Sequence, residues 1–270
     1  MITINALIYG QVGVDPCVTD RTLSKNPLAY TGLFRSSKQR IWLPVKTFLI
    51  RHPQGNILID TGWNKEVREH PIRTITFPMW FASKPKLPQG QSVDEQLTEC
   101  RLDTTDVDYV IMTHMDIDHN SGLQLVRDAK NIYVSEEEWN VIHSRQIRYV
   151  RKPWRGINLK MIPFADDEDA PYKKSWDIFE DGTVKIIFLP GHSSGSVAVK
   201  IQREDNFVLI VGDTGYNQNS WQKLKLPGPV YDKKMMKKSL EWVKAQSESK
   251  NCMVILSSHD TEQQRDYFEL

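Results

Sequence analysis

Four apolar, strand-like runs in this sequence each lead into a side chain that can bind a metal ion. The runs YVIMT, KIIFLPG, VLIVG and MVILSS end at His114, His192, Asp213 and His259. Ligands placed where rigid strands end can converge in one crevice, with little entropy left to lose when a metal binds. One such junction would indicate only a solvated loop. Four of them predict a metal site built at the ends of strands.

The densest group of candidate ligands follows the first of these strands. It is the segment Thr113-His114-Met115-Asp116-Ile117-Asp118-His119-Asn120-Ser121-Gly122. Within six residues it holds two histidines and two aspartates, the ligands that borderline and hard divalent cations prefer. The alternative is a surface turn followed by an Asp-capped helix. Paired histidines that flank alternating acids favour the metal site.

The rest of the chain predicts an α/β protein with more strand than helix. The apolar runs within residues 3–61 predict strands, and Pro53-Gln54-Gly55 predicts the turn of a hairpin between the last two. Strands and helices alternate again in the second half, where a helix is predicted over about residues 233–247. This pattern predicts two sheets packed face to face with helices outside. No linker interrupts it, so we expect one domain over residues 1–270.

Net charge, hydropathy and cysteine content indicate which partners and which cellular location to expect. Lysine plus arginine nearly cancels aspartate plus glutamate, leaving a net charge of +1, which gives no field to attract nucleic acid or an anionic membrane. No run approaches the roughly 20 apolar residues needed to cross a bilayer. Three scattered cysteines predict reduced thiols. We therefore expect a soluble, unexported, cytoplasmic protein that binds a small molecule, as a monomer or a homodimer.

The segment from His114 to His119 resembles the HxHxDH signature of the metallo-β-lactamase superfamily. Other parts of the family pattern follow in order: Asp60 in DTG, His192 in PGHSSGS, Asp213 in GDTGY and His259 in SSHD. Within the superfamily the chain is most similar to the N-acyl homoserine lactonase branch. The reasons are the tyrosine three residues after Asp213, the HDTEQ sequence near the C-terminus and the single-domain size. The resemblance implies an αββα sandwich with two mixed β-sheets.

The resemblance also implies a metal-dependent hydrolase that opens a small lactone or ester. One divalent ion would be held by His114, Asp116 and His192, and the other by Asp118, His119 and His259, with Asp213 bridging both. Zinc is the expected metal, with manganese and iron as alternatives. A water or hydroxide between the ions would be the nucleophile, its pKa lowered towards roughly 7.

Further roles follow from the same resemblance. Tyr216 would donate a hydrogen bond to the developing oxyanion, although a strand-end tyrosine packed as an apolar body is an alternative. Asp118 would pass a proton to the departing alkoxide. Asp60 would orient a ligand histidine through its second ring nitrogen, or would only hold the turn that follows it. The remaining candidates are an aromatic group that would either cover the substrate or belong to the core: Phe77, Met79, Trp80 and Phe81.

Asp116 departs from the family pattern, which usually has a histidine at its position. Two divalent cations, the carboxylates of Asp118 and Asp213 and a hydroxide sum to +1, and Asp116 brings that sum to zero. A less positive site should acidify its water less and accept harder metals. Weak binding at one of the two sites is the alternative consequence.

Functions other than lactone or ester hydrolysis also fit parts of the sequence pattern. Flavodiiron proteins carry an acid at the position of Asp116, but their flavin-binding domain needs about 150 further residues, for which the chain has no room. A thioester, amide or phosphoester hydrolase and a binding module without turnover remain alternatives. The other histidines, His52, His70 and His143, are expected at the surface or behind the ligands.

Overall fold

Two mixed β-sheets carry the strands of the protein. The computed structural model describes residues 1–144 and 147–270. The strands are β1 (Thr3–Val14), β2 (Ile41–His52), β3 (Gly55–Ile59), β4 (Lys84–Lys86), β5 (Tyr109–Ile111), β6 (Ile132–Val134), β7 (Leu159–Met161), β8 (Ala165–Asp166), β9 (Lys174–Asp177), β10 (Val184–Phe188), β11 (Val197–Arg203), β12 (Asn206–Ile210), β13 (Cys252–Leu256) and β14 (Tyr267–Glu269).

Each sheet contains both parallel and antiparallel pairs. The first has the order β14-β1-β2-β3-β5-β6-β7, with β4 paired to β1. Its pairs are antiparallel as far as β3 and parallel from β3 to β7. The second has the order β13-β12-β11-β10-β9-β8 and is antiparallel except for the β12–β13 pair. The predicted hairpin is therefore present as β2 and β3, with the turn at Pro53 and Gln54.

Alternation along the strands divides the apolar residues between two faces. In β3, Ile57 and Ile59 face the second sheet, whereas Leu58 faces the helices outside the first sheet. In β12, Val208 and Ile210 face the first sheet, and their neighbours point outward. The sheets therefore pack face to face around one buried core, as the sequence predicts.

Helices cover the outer faces of both sheets. They are α1 (Pro71–Ile75), α2 (Phe77–Ala82), α3 (Val93–Glu99), α4 (Ile117–Asn120), α5 (Glu136–Ile142), α6 (Gln218–Gln222) and α7 (Lys233–Ser247). In α7, Met236, Leu240 and Val243 lie at helical spacing and pack on the outer face of the second sheet. Val93 and Leu97 of α3 pack on the outer face of the first. The expected four-layer sandwich is confirmed.

Local sequence signals explain where these helices begin. Ser92 and Glu95 form the predicted capping box at the start of α3. The proline-rich stretch after residue 63 forms no long helix, and its α-helices are the short α1 and α2, because a proline in a helix interior breaks a hydrogen bond. Across the residues that the structure describes, no helix has the length and apolar character needed to span a membrane.

Strand direction positions the site. The parallel strands β3 and β5 end just before Asp60 and His114, and the parallel strands β12 and β13 end just before Asp213 and His259. The carboxyl ends of parallel strands meet at one edge of a sheet, which is where ligand sites form in such folds. Both sheets therefore deliver side chains to the same end of the sandwich.

An ion pair ties the start of α3 to the segment before α1 and gives a pH-dependent prediction. Arg68 Nη1 lies 2.8 Å from Glu95 Oε1, and Nη2 lies 2.5 Å from Oε2. The Arg68 guanidinium lowers the pKa of Glu95 to about 2, against a smaller opposing effect of burial. Because the folded-state pKa is depressed, the stabilisation is present above the unfolded pKa, near 4.5, and is lost as pH falls towards 2.

We expect Glu95→Gln to lower the free energy of unfolding by about 1 kcal/mol at neutral pH, since the pair is partly exposed to solvent. The difference should shrink as pH falls below about 4.5, as measured by urea unfolding at several pH values. Glu99→Gln, on an exposed position of the same helix, is the matched control. A difference that stays constant with pH would show that the ion pair does not act in this way.

Candidate metal centre

The structure brings all seven predicted ligands into one cluster at the ends of the strands. They are His114, Asp116, Asp118, His119, His192, Asp213 and His259. Three overlapping groups have their ligand atoms within 4.8 Å of one another: His114 with Asp116 and His192, Asp118 with His119 and His259, and His114 with His119 and Asp213. The first two are the two ligand sets that the resemblance implies.

The first set surrounds one oxygen of Asp116. Its Oδ2 lies 3.4 Å from His114 Nε2 and 3.0 Å from His192 Nε2. Asp116 precedes α4 as its N-terminal flanking residue, and its backbone carbonyl accepts a hydrogen bond from the amide of His119 at 3.0 Å. The short helix therefore fixes the spacing between Asp116 and the second ligand set.

The second set lies on the other side of Asp213. His259 Nε2 is 3.4 Å from both Asp118 Oδ2 and His119 Nε2. Asp213 Oδ1 lies 3.3 Å from the Nε2 atoms of His119 and His259, while its Oδ2 is 3.7 Å from His192 Nε2. Asp213 thus presents one oxygen to each set, which is the arrangement of a bridging carboxylate.

Hydrogen bonds at Nδ1 aim three of the imidazoles into the cluster. His119 Nδ1 is 2.8 Å from Asp60 Oδ2, and His259 Nδ1 is 2.7 Å from the carbonyl oxygen of Pro44. His114 Nδ1 is 3.0 Å from Thr113 Oγ1, whose hydroxyl donates to Asp60 at 2.7 Å. Each acceptor holds the ring proton on Nδ1, so the Nε2 lone pair faces the cluster.

Asp60 lies behind the ligands, as the resemblance implies. Its carboxylate is 1% exposed and accepts hydrogen bonds from the Thr113 amide, from the Thr113 hydroxyl and from His119. The neighbouring Thr61 carbonyl would lie 2.3 Å from a Cβ at position 122, so Gly122 permits the close approach of the two loops. The carboxylate contacts favour the histidine-orienting role over the turn-holding one.

Glu138 is a buried residue beside the site that no sequence motif identifies. Its Oε1 accepts from the Met115 amide at 2.9 Å, and its Oε2 accepts from the Gly195 amide at 3.1 Å. These bonds join the loop of His114 to the loop of His192. A buried carboxylate satisfied by backbone donors is a structural tie and does not face the ligand cluster.

The donor atoms of the cluster fit divalent cations. Nε2 of His114 and Oδ1 of Asp213 are buried and have no hydrogen-bond partner among the described residues. The Nε2 lone pairs of His119 and His259 face each other across 3.4 Å. Buried lone pairs and carboxylates without donors are costly unless a cation lies between them. Four imidazoles and three carboxylates are the donor types of such a site.

Arg148 is the second residue that sequence reasoning missed. Its Nε lies 2.5 Å from Asp116 Oδ1 and its Nη2 lies 2.7 Å from Asp116 Oδ2, forming a two-pronged ion pair. Nη1 donates to the His192 carbonyl at 2.9 Å, and Nη2 is also 2.9 Å from His192 Nε2. No ligand motif includes this arginine, so only the folded chain reveals it.

The guanidinium governs the electrostatics of the first ligand set. Burial alone would raise the pKa of Asp116, but the Arg148 charge and the neighbouring imidazoles of His114 and His192 hold it well below its ordinary value. Burial, followed by the Arg148 charge, lowers the pKa of His192 to about 4, so this imidazole is in its neutral, metal-binding form. The charge count made from the sequence omitted Arg148 and must be corrected by one positive charge.

Tyr216 reaches the cluster through its hydroxyl. The side chain is 4% exposed, and its hydroxyl donates to Asp213 Oδ2 at 3.1 Å. The ring stacks on His259 with centroids 5.4 Å apart. Burial and the Asp213 charge raise the pKa of Tyr216 well above its usual value, so it remains a donor. The hydroxyl is therefore directed at the candidate metal ligands.

The four aromatic and methionine candidates lie on α2 and outside the ligand cluster. Phe77 and Phe81 are 58% and 39% exposed, which excludes a core position for these two. Met79 and Trp80 are half-buried and pack on the core outside the first sheet. A substrate contact by any of the four stays a prediction.

The remaining histidines also lie outside the cluster. His52 stacks on Phe179 with ring centroids 4.1 Å apart, and His143 Nδ1 is 2.7 Å from the Trp139 carbonyl oxygen. His70 is exposed. None of the three is among the candidate ligand groups found in the described residues.

Comparisons with known proteins identify the family of the chain. A family model described as the metallo-beta-lactamase superfamily matches residues 40–259. The N-acyl homoserine lactonase AttM of Rhizobium radiobacter is 28% identical over 227 residues, covering 81% of this chain and 82% of that protein. An N-acyl homoserine lactonase of Bacillus cereus is 23% identical over 268 residues, covering 98% and 96%.

A solved structure shows the same fold over nearly the whole chain. It is an N-acyl homoserine lactone hydrolase with the product N-hexanoyl-L-homoserine bound at its catalytic metal centre, with a TM-score of 0.78 and 19% identity. The alignment covers 97% of this chain and 94% of that one. The chain belongs to the metallo-β-lactamase superfamily, which confirms the family expected from its motifs. Among the proteins it is similar to, several are N-acyl homoserine lactonases.

The substitution Asp60→Asn tests whether this carboxylate orients His119. In Asp60→Asn an amide replaces one of the two acceptor oxygens, so His119 Nδ1 or the Thr113 donors lose a partner. We expect zinc affinity to fall about ten- to hundredfold, because ligand orientation is lost while the ligands remain. Competition with a chromophoric chelator measures it. Asp166→Asn, on an exposed strand end, is the control. Unchanged zinc affinity would show that Asp60 only stabilises the turn that follows it.

Proposed function

We propose that this protein is a dinuclear metal-dependent hydrolase that opens the ring of a small lactone, with N-acyl homoserine lactones as the first substrate class. The observation that carries the proposal is the convergence of seven ligand side chains in two sets, with one oxygen of Asp213 facing each. The relatives named as N-acyl homoserine lactonases, which match over most of their length, support the substrate class.

The residues divide into two cation sites. His114, Asp116 and His192 would hold one ion, and Asp118, His119 and His259 would hold the other. Asp213, which presents one oxygen to each set, would serve both. Zinc is the proposed metal because imidazole and carboxylate ligands suit it, and manganese and iron are the alternatives that metal analysis separates. When bound, such a cation pair supplies an acidified water as nucleophile and polarises the scissile carbonyl.

The protein's own groups act on the charge and the proton of the reaction. The Tyr216 hydroxyl, already directed at the cluster, donates to the oxygen on which negative charge develops, an interaction worth about 3 kcal/mol of barrier. Asp118 is more exposed than Asp213, with 13% of its side chain accessible against 5%. It passes a proton to the departing alkoxide.

Substrate selection rests on the α2 segment and on the low net charge. Phe77 and Phe81 on α2 present exposed apolar surface, which suits an apolar acyl chain. The net charge of +1 suits a neutral small molecule. Contact of Phe77, Met79, Trp80 or Phe81 with the acyl chain is part of this proposal.

Three further expectations belong to the same proposal. A single domain over residues 1–270 carries the whole site. Its three cysteines are free thiols, which supports a cytoplasmic location. The oligomeric state, monomer or homodimer, is open.

Metal content and ring opening together test the function. Protein purified without chelator should contain two metal equivalents per chain and should hydrolyse an N-acyl homoserine lactone, as followed by proton release. Protein stripped with a chelator should lose the activity and regain it with zinc. Ester, thioester and phosphoester panels are run in parallel. Two bound metals with no ring opening on any lactone would redirect the assignment to another hydrolase substrate.

Tyr216→Phe tests the oxyanion donor. We expect kcat to fall about 100-fold with KM nearly unchanged, because the lost hydrogen bond acts on charge that exists only in the transition state. Two metal equivalents should remain, since the phenol is not a ligand. Tyr267→Phe, on an exposed strand, is the control. A wild-type kcat would return Tyr216 to a packing role.

A further inference from the structure

The Asp116 carboxylate and the Arg148 guanidinium have a combined charge of zero. A neutral histidine, the usual residue at position 116 in the family, has the same charge. We propose that Arg148 is a positioning residue for the first cation site, making the Asp116 carboxylate an electrostatic equivalent of a neutral imidazole. This inference rests on the two-metal site of the proposed function. It assigns a role to a side chain outside the seven ligands.

The contacts of Arg148 place it against the first ligand set alone. Its two-pronged bond takes both oxygens of Asp116, at 2.5 and 2.7 Å, while its third nitrogen donates to the His192 carbonyl at 2.9 Å. A planar fork of this kind fixes both the position and the rotation of a carboxylate. The guanidinium therefore determines how Asp116 faces the other ligands.

The guanidinium contacts two of the three donor atoms of the first set and leaves the third free. Nη2 reaches Asp116 Oδ2 and His192 Nε2, but Nε2 of His114 stays without a hydrogen-bond partner among the described residues. His114 Nε2 is thus the donor that Arg148 leaves for a cation. Arg148 and that cation would share Asp116 as a common anion.

Burial strengthens the electrostatic effect of the Arg148 charge on the first ligand set. Asp116 and Arg148 have only 14% and 21% of their side chains exposed, so solvent screens the pair weakly. With Arg148 included, the charge sum of the centre returns from zero to +1, the value for a site with histidine at position 116. The harder-metal preference expected from Asp116 alone loses its basis.

A purely structural role for Arg148 makes a different prediction. The arginine joins the segment after α5 to the His192 loop, and such a tie would stabilise the loop whatever residue stood at position 116. In that case the effects of changing Arg148 and Asp116 on metal affinity would be independent. If the pair acts as one unit, the two changes must be strongly coupled.

A double-mutant cycle on the zinc-loaded protein measures this coupling. Zinc release into a chromophoric chelator is compared for wild type, Asp116→His, Arg148→Leu and the double variant. We expect Asp116→His to weaken one of the two zinc steps at least tenfold, because an imidazole leaves the buried guanidinium uncompensated. The double variant should return to within threefold of wild type. Full affinity in Asp116→His, or no recovery in the double variant, would overturn the proposal.

Two further measurements keep the result interpretable. Thermal unfolding shows whether each variant is folded. If Asp116→His is not, Arg148→Lys and Arg148→Leu decide: the lysine keeps the charge but loses the planar fork, so its shift should be clearly smaller than that of leucine, which should shift one step at least tenfold. Equal shifts in both would indicate a structural tie and contradict the charge role.

Arg151→Leu, an exposed arginine three residues away, is the matched control and should leave both zinc steps unchanged. The zinc stoichiometry of the wild type is read from the same titration. One equivalent, or none, would contradict the dinuclear site itself. Two equivalents without coupling would contradict only the role of Arg148, so the two failures are distinguishable.

Discussion

The cost of burying carboxylates and imidazoles together is the constraint on which this structure depends. Three carboxylates and four imidazole lone pairs converge within a few ångströms, where little solvent screens them. Such a cluster costs free energy unless cations or fixed donors balance it. The protein supplies donors at its periphery, from Thr113 to Asp60 and from Arg148 to Asp116, and leaves the inner atoms for metal. The rest of the fold can be understood as the scaffold that holds these groups together.

That scaffold is rigid because the strands that lead into the site are buried at their carboxyl ends. Ile57 and Ile59 of β3 pack against the second sheet while Leu58 packs against helices, and β12 is arranged in the same way. The loops that follow such strands have little freedom, and backbone bonds to Glu138 link two of them. Precise placement of ligands lowers the entropy lost when they bind a cation. The packing of the core therefore also determines how precisely the ligands of the site are placed.

Much of this was accessible from the sequence, and the reasons are specific. The run into His114 and its paired acids follow a strict spacing, so the ligands and the sandwich fold were predictable, as was α7 from Met236, Leu240 and Val243. Arg148 and Glu138 were not, because both act through tertiary contacts with no sequence periodicity. The charge count around Asp116 was incomplete for the same reason: its ion-pair partner Arg148 lies 32 residues away along the chain. The exposure of Phe77 likewise depends on how α2 lies on the core.

The hydrogen bond from His259 to the Pro44 carbonyl joins the two halves of the sandwich at the site. Pro44 belongs to β2 of the first sheet, whereas His259 follows β13 of the second, and the Lys46 amide also donates to the Ser258 carbonyl. A small sliding of one sheet over the other would therefore rotate this imidazole away from its neighbours. Cation affinity therefore depends on the alignment of the two sheets. A substitution in the apolar core that shifts this alignment would release metal before the chain unfolds.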